Sequence, residues 1–220
     1  MNQKKLYIIR NTNKPELLHH VNGLQNIIQK QMPDLCVLII HAHEQLSWVK
    51  EHVPIAINLD PFSRLSTHFP IDICRIFNSH QRSPIFFQNR HGYDPIDEQI
   101  HSLPAGHFFL LDDDICTGGT VSFINNKIVT LRKDIKIVQS ISLMHEFLAH
   151  IGLNRLNVYD IIDSHDFIGG ETTSGLMIKN SSGINRHLYT DQAVNLSFRA
   201  KIPYPDQFRE DWKKHLTLYA

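Results

Sequence analysis

The stretch His107-Phe-Phe-Leu-Leu-Asp-Asp-Asp-Ile-Cys-Thr-Gly-Gly-Thr120 decides the fold. Its apolar residues 108–111 predict a buried strand, because a short continuous apolar run bounded by turn residues is typical of parallel sheets. Three carboxylates follow at the point where that strand ends, and a Thr-Gly-Gly-Thr turn comes next. Beyond the turn, apolar residues recur at the spacing of a helix: Val121, Ile124, Ile128 and Leu131.

A strand, an acidic edge, a glycine turn and a helix N-terminus together predict a site for a sugar phosphate. Carboxylates at the strand end can accept hydrogen bonds from ribose hydroxyls. Glycines allow backbone N–H groups to crowd around a phosphate at the positive end of a helix. No other part of the chain narrows the function as far.

The composition limits the classes of partner. The 220 residues are enough for one domain, or one domain with an elaboration, and for a substantial core. Lys+Arg and Asp+Glu both number 22, and the isoelectric point is about 7.3. A neutral chain has no overall field that attracts nucleic acid or an anionic membrane, so neither is an expected partner. We interpret the 15 histidines as compositional rather than as metal ligands.

The cysteines and the apolar runs predict a soluble cytoplasmic protein. The chain has an odd number of cysteines, and no two of them form a Cys-x-x-Cys pair: Cys36, Cys74 and Cys116. Neither a disulfide framework nor a structural zinc site is therefore indicated. A reducing compartment fits that usage best. The apolar runs are of strand length, too short for a membrane span or for the core of a signal peptide.

Short apolar segments that alternate with amphipathic ones predict an open parallel α/β sheet. In such sheets ligands bind beyond the carboxyl ends of the strands, which is where Asp112 lies. We expect residues 89–106, with two glycines and two prolines, to be largely loop. Strands are predicted at residues 6–9, 35–40, 55–59, 71–77, 84–88, 108–111, 135–144 and 157–162, and helices after Pro15, at residues 45–52, after Thr120 and after Asp206.

The central stretch resembles the phosphoribosyl-diphosphate (PRPP) signature of type I phosphoribosyltransferases, in which an apolar strand, two acids, two apolar residues and a variable residue precede Thr-Gly-x-Thr. The resemblance implies that Asp112 and Asp113 hold the ribose hydroxyls and help to place Mg²⁺. It also implies that a phosphate turn wraps the 5′-phosphate, and this turn consists of Cys116, Thr117, Gly118, Gly119 and Thr120.

The resemblance further implies a fold and an activity. The fold would be a mostly parallel open sheet flanked by helices, with a variable hood, in a single domain of residues 1–220. Its core would span about residues 30–165, and residues 1–30 and 166–220 would form the hood and a C-terminal extension. The protein would bind PRPP or a nucleoside 5′-monophosphate with Mg²⁺. As a pentosyl transferase of nucleotide metabolism, it would transfer phosphoribosyl to an unidentified acceptor and release pyrophosphate; a homodimer is a common default.

Two further family elements are carried over by position. The pyrophosphate loop would follow the strand at residues 35–40, which makes His41, Ala42 and His43 candidates, although the usual glycine and basic residue are absent. His41 and His43 would share a face if that strand continued, as a metal pair could, while a solvated loop is the alternative. Arg90 and His91 match the mobile loop that brings basic groups to the pyrophosphate, or else form an ordinary polar turn.

Two departures from the family pattern affect the assignment. Asp114 occupies a position that is usually apolar. Cys116 stands where the 6-oxopurine branch carries an aspartate that handles the proton of the base, so that branch is disfavoured.

Other interpretations of the same residues stay open. A phosphatase of the Asp-x-Asp type would use Asp112 as nucleophile and Asp114 as acid/base around Mg²⁺. A regulator could bind PRPP or a nucleotide without catalysis. A zinc protease is not indicated, because His145 and His150 are five residues apart and the His-Glu-x-x-His motif needs four.

Overall fold

The computed structural model describes residues 6–11, 18–78, 86–90, 92–115, 117–153, 155–164, 176–179, 185–187 and 201–218. Within these residues the chain is α/β, with mostly parallel sheets flanked by helices. This fold class is the one that the alternation of strands and helices predicts. Contacts divide the chain into two compact units, a first unit of residues 1–42 with 153–220 and a second unit of residues 43–152. The single domain with a core at about residues 30–165 stays a prediction.

The helices and strands follow one another in this order. The first half contains β1 (Leu6–Asn11), α1 (Leu18–Gln31), β2 (Cys36–His41), α2 (Ala42–His52), β3 (Ala56–Asn58), β4 (Phe69–Pro70), β5 (Ile73–Asn78), β6 (Phe86–Asn89) and α3 (Ile96–His101). The second half contains β7 (Gly106–Asp112), α4 (Gly119–Leu131), β8 (Ile135–Ser142), α5 (Leu143–His150), β9 (Val158–Asp163), β10 (Leu176–Lys179), β11 (Asn185–His187) and α6 (Pro205–Leu218).

The first unit contains a parallel sheet in the order β2-β1-β9. Its central strand β1 is buried on both faces, which is why its residues 6–9 form a continuous apolar run rather than an alternating one. Helix α1 contributes the apolar stripe Val21, Leu24 and Ile28, and α6 packs against α1 with Phe208 and Trp212 fully buried. The C-terminal helix predicted after Asp206 is confirmed, and its apolar spacing places these two aromatic residues in the core.

The second unit contains a parallel sheet in the order β4-β3-β7-β8. The chain leaves β3 toward β4 on one side and leaves β7 toward β8 on the other, so the boundary between β3 and β7 is a topological switch point. Helix α4 crosses between β7 and β8. Its buried face and the sheet share one core: Ile57, Leu59, Ile71, Ile73, Ile96, Ile100, Leu103, Phe108, Leu110, Val121, Ile124, Ile128 and Ile135.

The single open sheet expected from the sequence is therefore divided among the described strands. The reason lies in β8, because Val138, Gln139 and Ser140 are exposed and this strand forms the edge of its sheet. The strand β9 pairs instead with β1, whose two buried edges need a partner on each side. Two antiparallel pairs, β5 with β6 and β10 with β11, complete the described strands.

Two helices replace segments predicted otherwise. Helix α3 lies within residues 89–106, which were predicted to be largely loop; Ile96 and Ile100 are one helical turn apart and both buried, and acidic residues occupy the first turn. The strand predicted to reach residue 144 ends at Ser142, where α5 begins. Its apolar residues recur at helical spacing and are all buried: Leu143, Met144, Phe147 and Leu148.

Candidate functional site

The paired acids lie at the carboxyl end of β7, in the second unit. The apolar residues Leu110 and Leu111 are fully buried, and the strand ends at Asp112, which is 5% exposed; Asp113 is 8% exposed. The Leu59 amide donates to the Leu111 carbonyl at 2.8 Å, which extends the pairing of β3 and β7 to the switch point. Both carboxylates thus lie at the edge of a parallel sheet where ligands usually bind.

The electrostatics of this edge are those of crowded like charges. Burial raises the pKa of the Asp112 carboxyl well above its ordinary value, and the adjacent Asp113 carboxylate raises it further. The Arg75 guanidinium acts in the opposite direction, whereas Asp60 adds to the rise in the pKa of Asp112. Two buried carboxylates side by side are stabilised by hydroxyl donors, by a shared proton or by a divalent cation.

Asp60 is held in place by the turn that follows β3. The backbone N–H of Asp60 donates to Asn58 Oδ1 at 2.8 Å, and the N–H of Phe62 donates to Asp60 Oδ1 at 3.1 Å. The Asn58 amide also contacts His68 Nδ1 at 2.9 Å. Asp60 is only 1% exposed. These Asx-type bonds fix a third carboxylate in the turn that follows β3, the strand beside β7.

Hydrogen bonds to the next strand hold the loop that carries the acids. The N–H of Asp114 donates to Asp113 Oδ1 at 2.7 Å, and the N–H of Ile115 donates to Ser142 Oγ at 3.1 Å. The N–H of Met144 donates to the Asp113 carbonyl at 2.9 Å. The acidic loop is therefore tied to the end of β8 and the start of α5.

The glycine turn forms the N-terminus of α4. Gly118 is the N-cap residue with φ 72° and ψ 4°, a left-handed conformation that favours glycine, and no side chain caps the helix there. Gly119 and Thr120 are the first two helical residues, and Thr117 is exposed. The amides of the first turn have no intrahelical acceptor, so this end of α4 can accommodate an anion. Cys116 lies outside the described residues.

Asp114 faces a histidine. His145 is in the first turn of α5, and its Nε2 lies 3.5 Å from Asp114 Oδ1. The side chains are 28% and 21% exposed, respectively. The additional carboxylate after the paired acids thus has an aromatic cation or hydrogen-bond donor beside it.

Arg90 is buried beside a carboxylate. It directly follows β6 and is 6% exposed, and its Nε lies 3.7 Å from Asp72 Oδ1. Asp72 also accepts a two-pronged contact from Arg64, at 2.9 and 3.2 Å. A buried guanidinium needs a carboxylate partner of this kind, and the role of Arg90 toward pyrophosphate stays a prediction. His91 lies outside the described residues.

The expected pyrophosphate loop is absent between β2 and α2. His41 is the last residue of β2, and Ala42 and His43 already belong to the first turn of α2. No glycine interrupts this sequence and Ala42 is a strong helix former, so the strand passes directly into the helix. The strand does not continue to His43, so His41 and His43 do not share a strand face. His41 and Ala42 belong to the first unit, whereas the acidic motif belongs to the second.

A magnesium ion fits the acid pair only with help from a substrate. Among the described residues no group of three or more His, Cys, Asp or Glu side chains could hold a metal ion. Asp112 and Asp113 supply two hard oxygen donors, and Mg²⁺ is commonly bound by one or two carboxylates together with substrate phosphates and water. A nearby cation would oppose the burial and the Asp113 charge that raise the pKa of Asp112.

Sequence reasoning missed three residues of this edge. Asp60 and Ser142 each stand near the carboxyl end of a predicted strand, a position that could have indicated them. His145 was considered only as part of a zinc motif. Its proximity to Asp114 depends on the start of α5, which the apolar residues at 143, 144, 147 and 148 signal by their helical spacing.

Comparison of the chain with protein-family models, with curated proteins and with solved structures gives no match. Nor does any helix in the described part of the chain combine the length and apolar character needed to cross a membrane. A function for this chain is therefore inferred from the geometry of the carboxyl edge in the second unit.

Proposed function

We propose that this chain is a type I phosphoribosyltransferase-like protein. It would bind PRPP or a nucleoside 5′-monophosphate with Mg²⁺ and transfer the phosphoribosyl group to an acceptor, releasing pyrophosphate. One observation carries the proposal: a buried acid pair, Asp112 and Asp113, and an uncapped glycine-led helix N-terminus, Gly118 to Thr120, stand on one loop at a switch point.

The acid pair suits the ribose. The 2′- and 3′-hydroxyls are adjacent donors, and two neighbouring carboxylates are adjacent acceptors. Because burial and Asp113 raise the pKa of Asp112, hydroxyl donors relieve the repulsion between these carboxylates. A single carboxylate at this edge would lack that match.

The turn suits the 5′-phosphate. Gly118 adopts its left-handed conformation without a Cβ, and its N-cap position leaves the first amides of α4 without an intrahelical acceptor, as an anion site requires. The N–H of Gly119 donates to Thr117 Oγ1 at 3.4 Å, a bond that a phosphate oxygen would replace or share. Thr117 and Thr120 add hydroxyl donors on either side of the glycines.

The reaction follows from holding the sugar at both ends. Displacement of pyrophosphate from C1 develops positive charge on the ribose ring, which the nearby carboxylates stabilise. Fixing the hydroxyls and the phosphate removes much of the orientational cost of the attack. When bound, Mg²⁺ would neutralise charge on the departing pyrophosphate.

A second candidate function is a binder that does not transfer. The observation that favours it is the direct passage from β2 into α2, which leaves no pyrophosphate loop at His41 to His43. Such a protein would bind the ribose 5-phosphate portion of its ligand at the same edge and would not release pyrophosphate.

Calorimetric titration with Mg²⁺ present tests the proposal, with PRPP, ribose 5-phosphate, adenosine monophosphate and inorganic phosphate as separate ligands. We expect binding of the first three and weaker binding of phosphate. Pyrophosphate release from PRPP, with purine and pyrimidine bases as acceptors, separates the transferase from the silent binder. Absence of binding by every ribose phosphate contradicts the proposal. So does hydrolysis of p-nitrophenyl phosphate that is lost in Asp112→Asn, which would indicate the phosphatase.

A further inference from the structure

We propose that Asp114 and His145 form the acid/base pair of this site, with His145 taking the proton of the acceptor as it attacks C1 of the ribose and Asp114 positioning the ring. The inference rests on the proposed function and deepens it, because it predicts an acceptor whose nucleophile carries an ionisable N–H or O–H.

The two side chains lie at ion-pair distance from each other. His145 Nε2 lies 3.5 Å from Asp114 Oδ1, and that carboxylate oxygen is shielded from solvent. A carboxylate behind one ring nitrogen favours the tautomer that carries its hydrogen there, which leaves the other nitrogen as a base. Among the described residues Nδ1 of His145 has no hydrogen-bond partner, and the side chain is 28% exposed, so an acceptor can reach it.

The pair is placed at the site by the backbone. Asp114 stands two residues beyond Asp112, on the same loop as the phosphate turn. The hydrogen bonds from Ile115 to Ser142 and from Met144 to Asp113 hold this loop against the start of α5, which carries His145. The acid pair, the turn and the histidine therefore have a fixed mutual arrangement within the second unit.

The pair also fits the presence of a third acid on this loop. The loop already holds two buried acids, and a third adds repulsion unless a donor or cation stands beside it. His145 is such a group, and it occupies the first turn of a helix whose other histidine, His150, is exposed and contacts His52 and Phe147 instead.

The proposed step balances as follows. The acceptor lone pair forms a bond to C1 while the bond from C1 to the pyrophosphate oxygen breaks, and pyrophosphate leaves with that electron pair. The proton of the acceptor moves to Nδ1 of His145, and the resulting imidazolium is stabilised by the Asp114 carboxylate. With water as acceptor the products are ribose 5-phosphate and pyrophosphate.

The test compares wild type with His145→Gln, Asp114→Asn and the matched control His150→Gln on the same helix. The assay measures pyrophosphate release from PRPP with Mg²⁺, with water alone and with a panel of purine and pyrimidine bases. We expect His145→Gln to lower kcat by about 10²-fold or more, the usual scale for a lost general base, while PRPP affinity by calorimetry changes little. His150→Gln should match wild type, and added imidazole should restore turnover to His145→Ala.

Two further results distinguish the possible failures. Ring ¹⁵N spectra of the ligand-free protein should show His145 with its hydrogen on Nε2, and Asp114→Asn should disturb that tautomer; a hydrogen on Nδ1 in wild type overturns the pair. Full turnover in His145→Gln overturns the role of His145 and leaves the transferase intact. A wild-type protein that binds PRPP but releases no pyrophosphate overturns the role as well and supports the silent binder. Absence of PRPP binding overturns the proposed function itself.

Discussion

The two parallel sheets of this chain end in polar side chains of opposite character. In the first unit, Arg10 at the end of β1 lies 3.5 Å from Asp163 at the end of β9, and Asn11 contacts His41 at 3.0 Å. In the second unit, Asp112 and Asp113 stand together, with Asp60 adding to their repulsion. One carboxyl edge thus pairs complementary groups, whereas the other gathers like charges.

This difference separates structure from function. An ion pair with one partner 1% exposed satisfies the charges that the fold itself buries, and it needs nothing from outside. A buried pair of acids is a cost to folding that a ligand or a cation can relieve. Position at a carboxyl edge is therefore not enough to indicate a site, and the sign of the neighbouring charges decides between the two edges.

The largest expected effect is on stability, in the first unit. Asp163→Asn removes the carboxylate that lies 3.5 Å from the buried Arg10 guanidinium, and we expect a loss of about 3–5 kcal/mol in the free energy of unfolding by urea denaturation. Affinity for PRPP should be unchanged in the folded protein. A loss below about 1 kcal/mol would mean that Arg10 does not depend on this pair.

The second effect is on binding, in the second unit. Asp112→Asn and Asp113→Asn should each weaken PRPP binding by about 1–3 kcal/mol, the scale of a lost charged hydrogen bond, as measured by calorimetry. Asp112→Asn should not destabilise the protein at neutral pH, because it removes a buried carboxylate whose pKa is raised. Asp97→Asn is the matched control, since Asp97 is an exposed acid of the same unit that pairs with Lys127. If all three variants bind PRPP with equal affinity, the acid pair has no special role in binding, and the contrast between a structural edge and a ligand-binding edge fails.

The third effect separates folding from binding at the phosphate turn. Gly118→Ala forces a side chain into a left-handed conformation with φ 72°, which should cost about 1–2 kcal/mol of unfolding free energy. At Gly119 a Cβ would meet Thr117 and Phe87 only at ordinary contact distances, so Gly119→Ala should preserve stability. Both variants should weaken PRPP binding, because a methyl group crowds the phosphate. If Gly119→Ala binds like wild type, the phosphate does not approach this turn.

The smallest effect is an opposite response of the two units to mild acid. Burial lowers the pKa of His20 and of His215, which contact each other at 3.3 Å between α1 and α6, so this contact contributes stability above pH 6.5 and loses it as the pH falls. The pKa of Asp112 is raised in the folded protein, so this carboxyl is protonated at a higher pH in the folded than in the unfolded chain. The destabilisation caused by its buried charge therefore diminishes as the pH falls from neutrality.

Hydrogen exchange at about pH 7 and about pH 5.5, corrected for intrinsic rates, can measure this difference. Amides of α6 should lose protection in acid, whereas those of β7 should not. His215→Gln, which keeps a polar side chain over Gly23, should remove the acid response of α6. An equal loss of amide protection in α6 and in β7 would instead indicate one cooperative response to acid.

The sequence was most informative where a segment carries its own signal. The apolar run and acids at 108–113, the glycines at 118 and 119 and the apolar spacing of α4 predicted β7, the turn and the helix that the structure contains. Strand partners could not be predicted in this way, because β9 pairs with β1 through contacts far apart in the chain. The approach of His145 to Asp114 likewise depends on where β8 ends and α5 begins.

The central claim is that the segment from Asp112 to Thr120 holds the ribose phosphate of PRPP. Backbone ¹H–¹⁵N spectra recorded during titration with PRPP and Mg²⁺ test it most directly. We predict the largest shifts at the amides of Asp113, Gly118, Gly119 and Thr120, with those of Asn11 and His41 unmoved by comparison. Saturable binding that shifts the amides of the first unit and leaves the glycine turn unchanged would contradict the account.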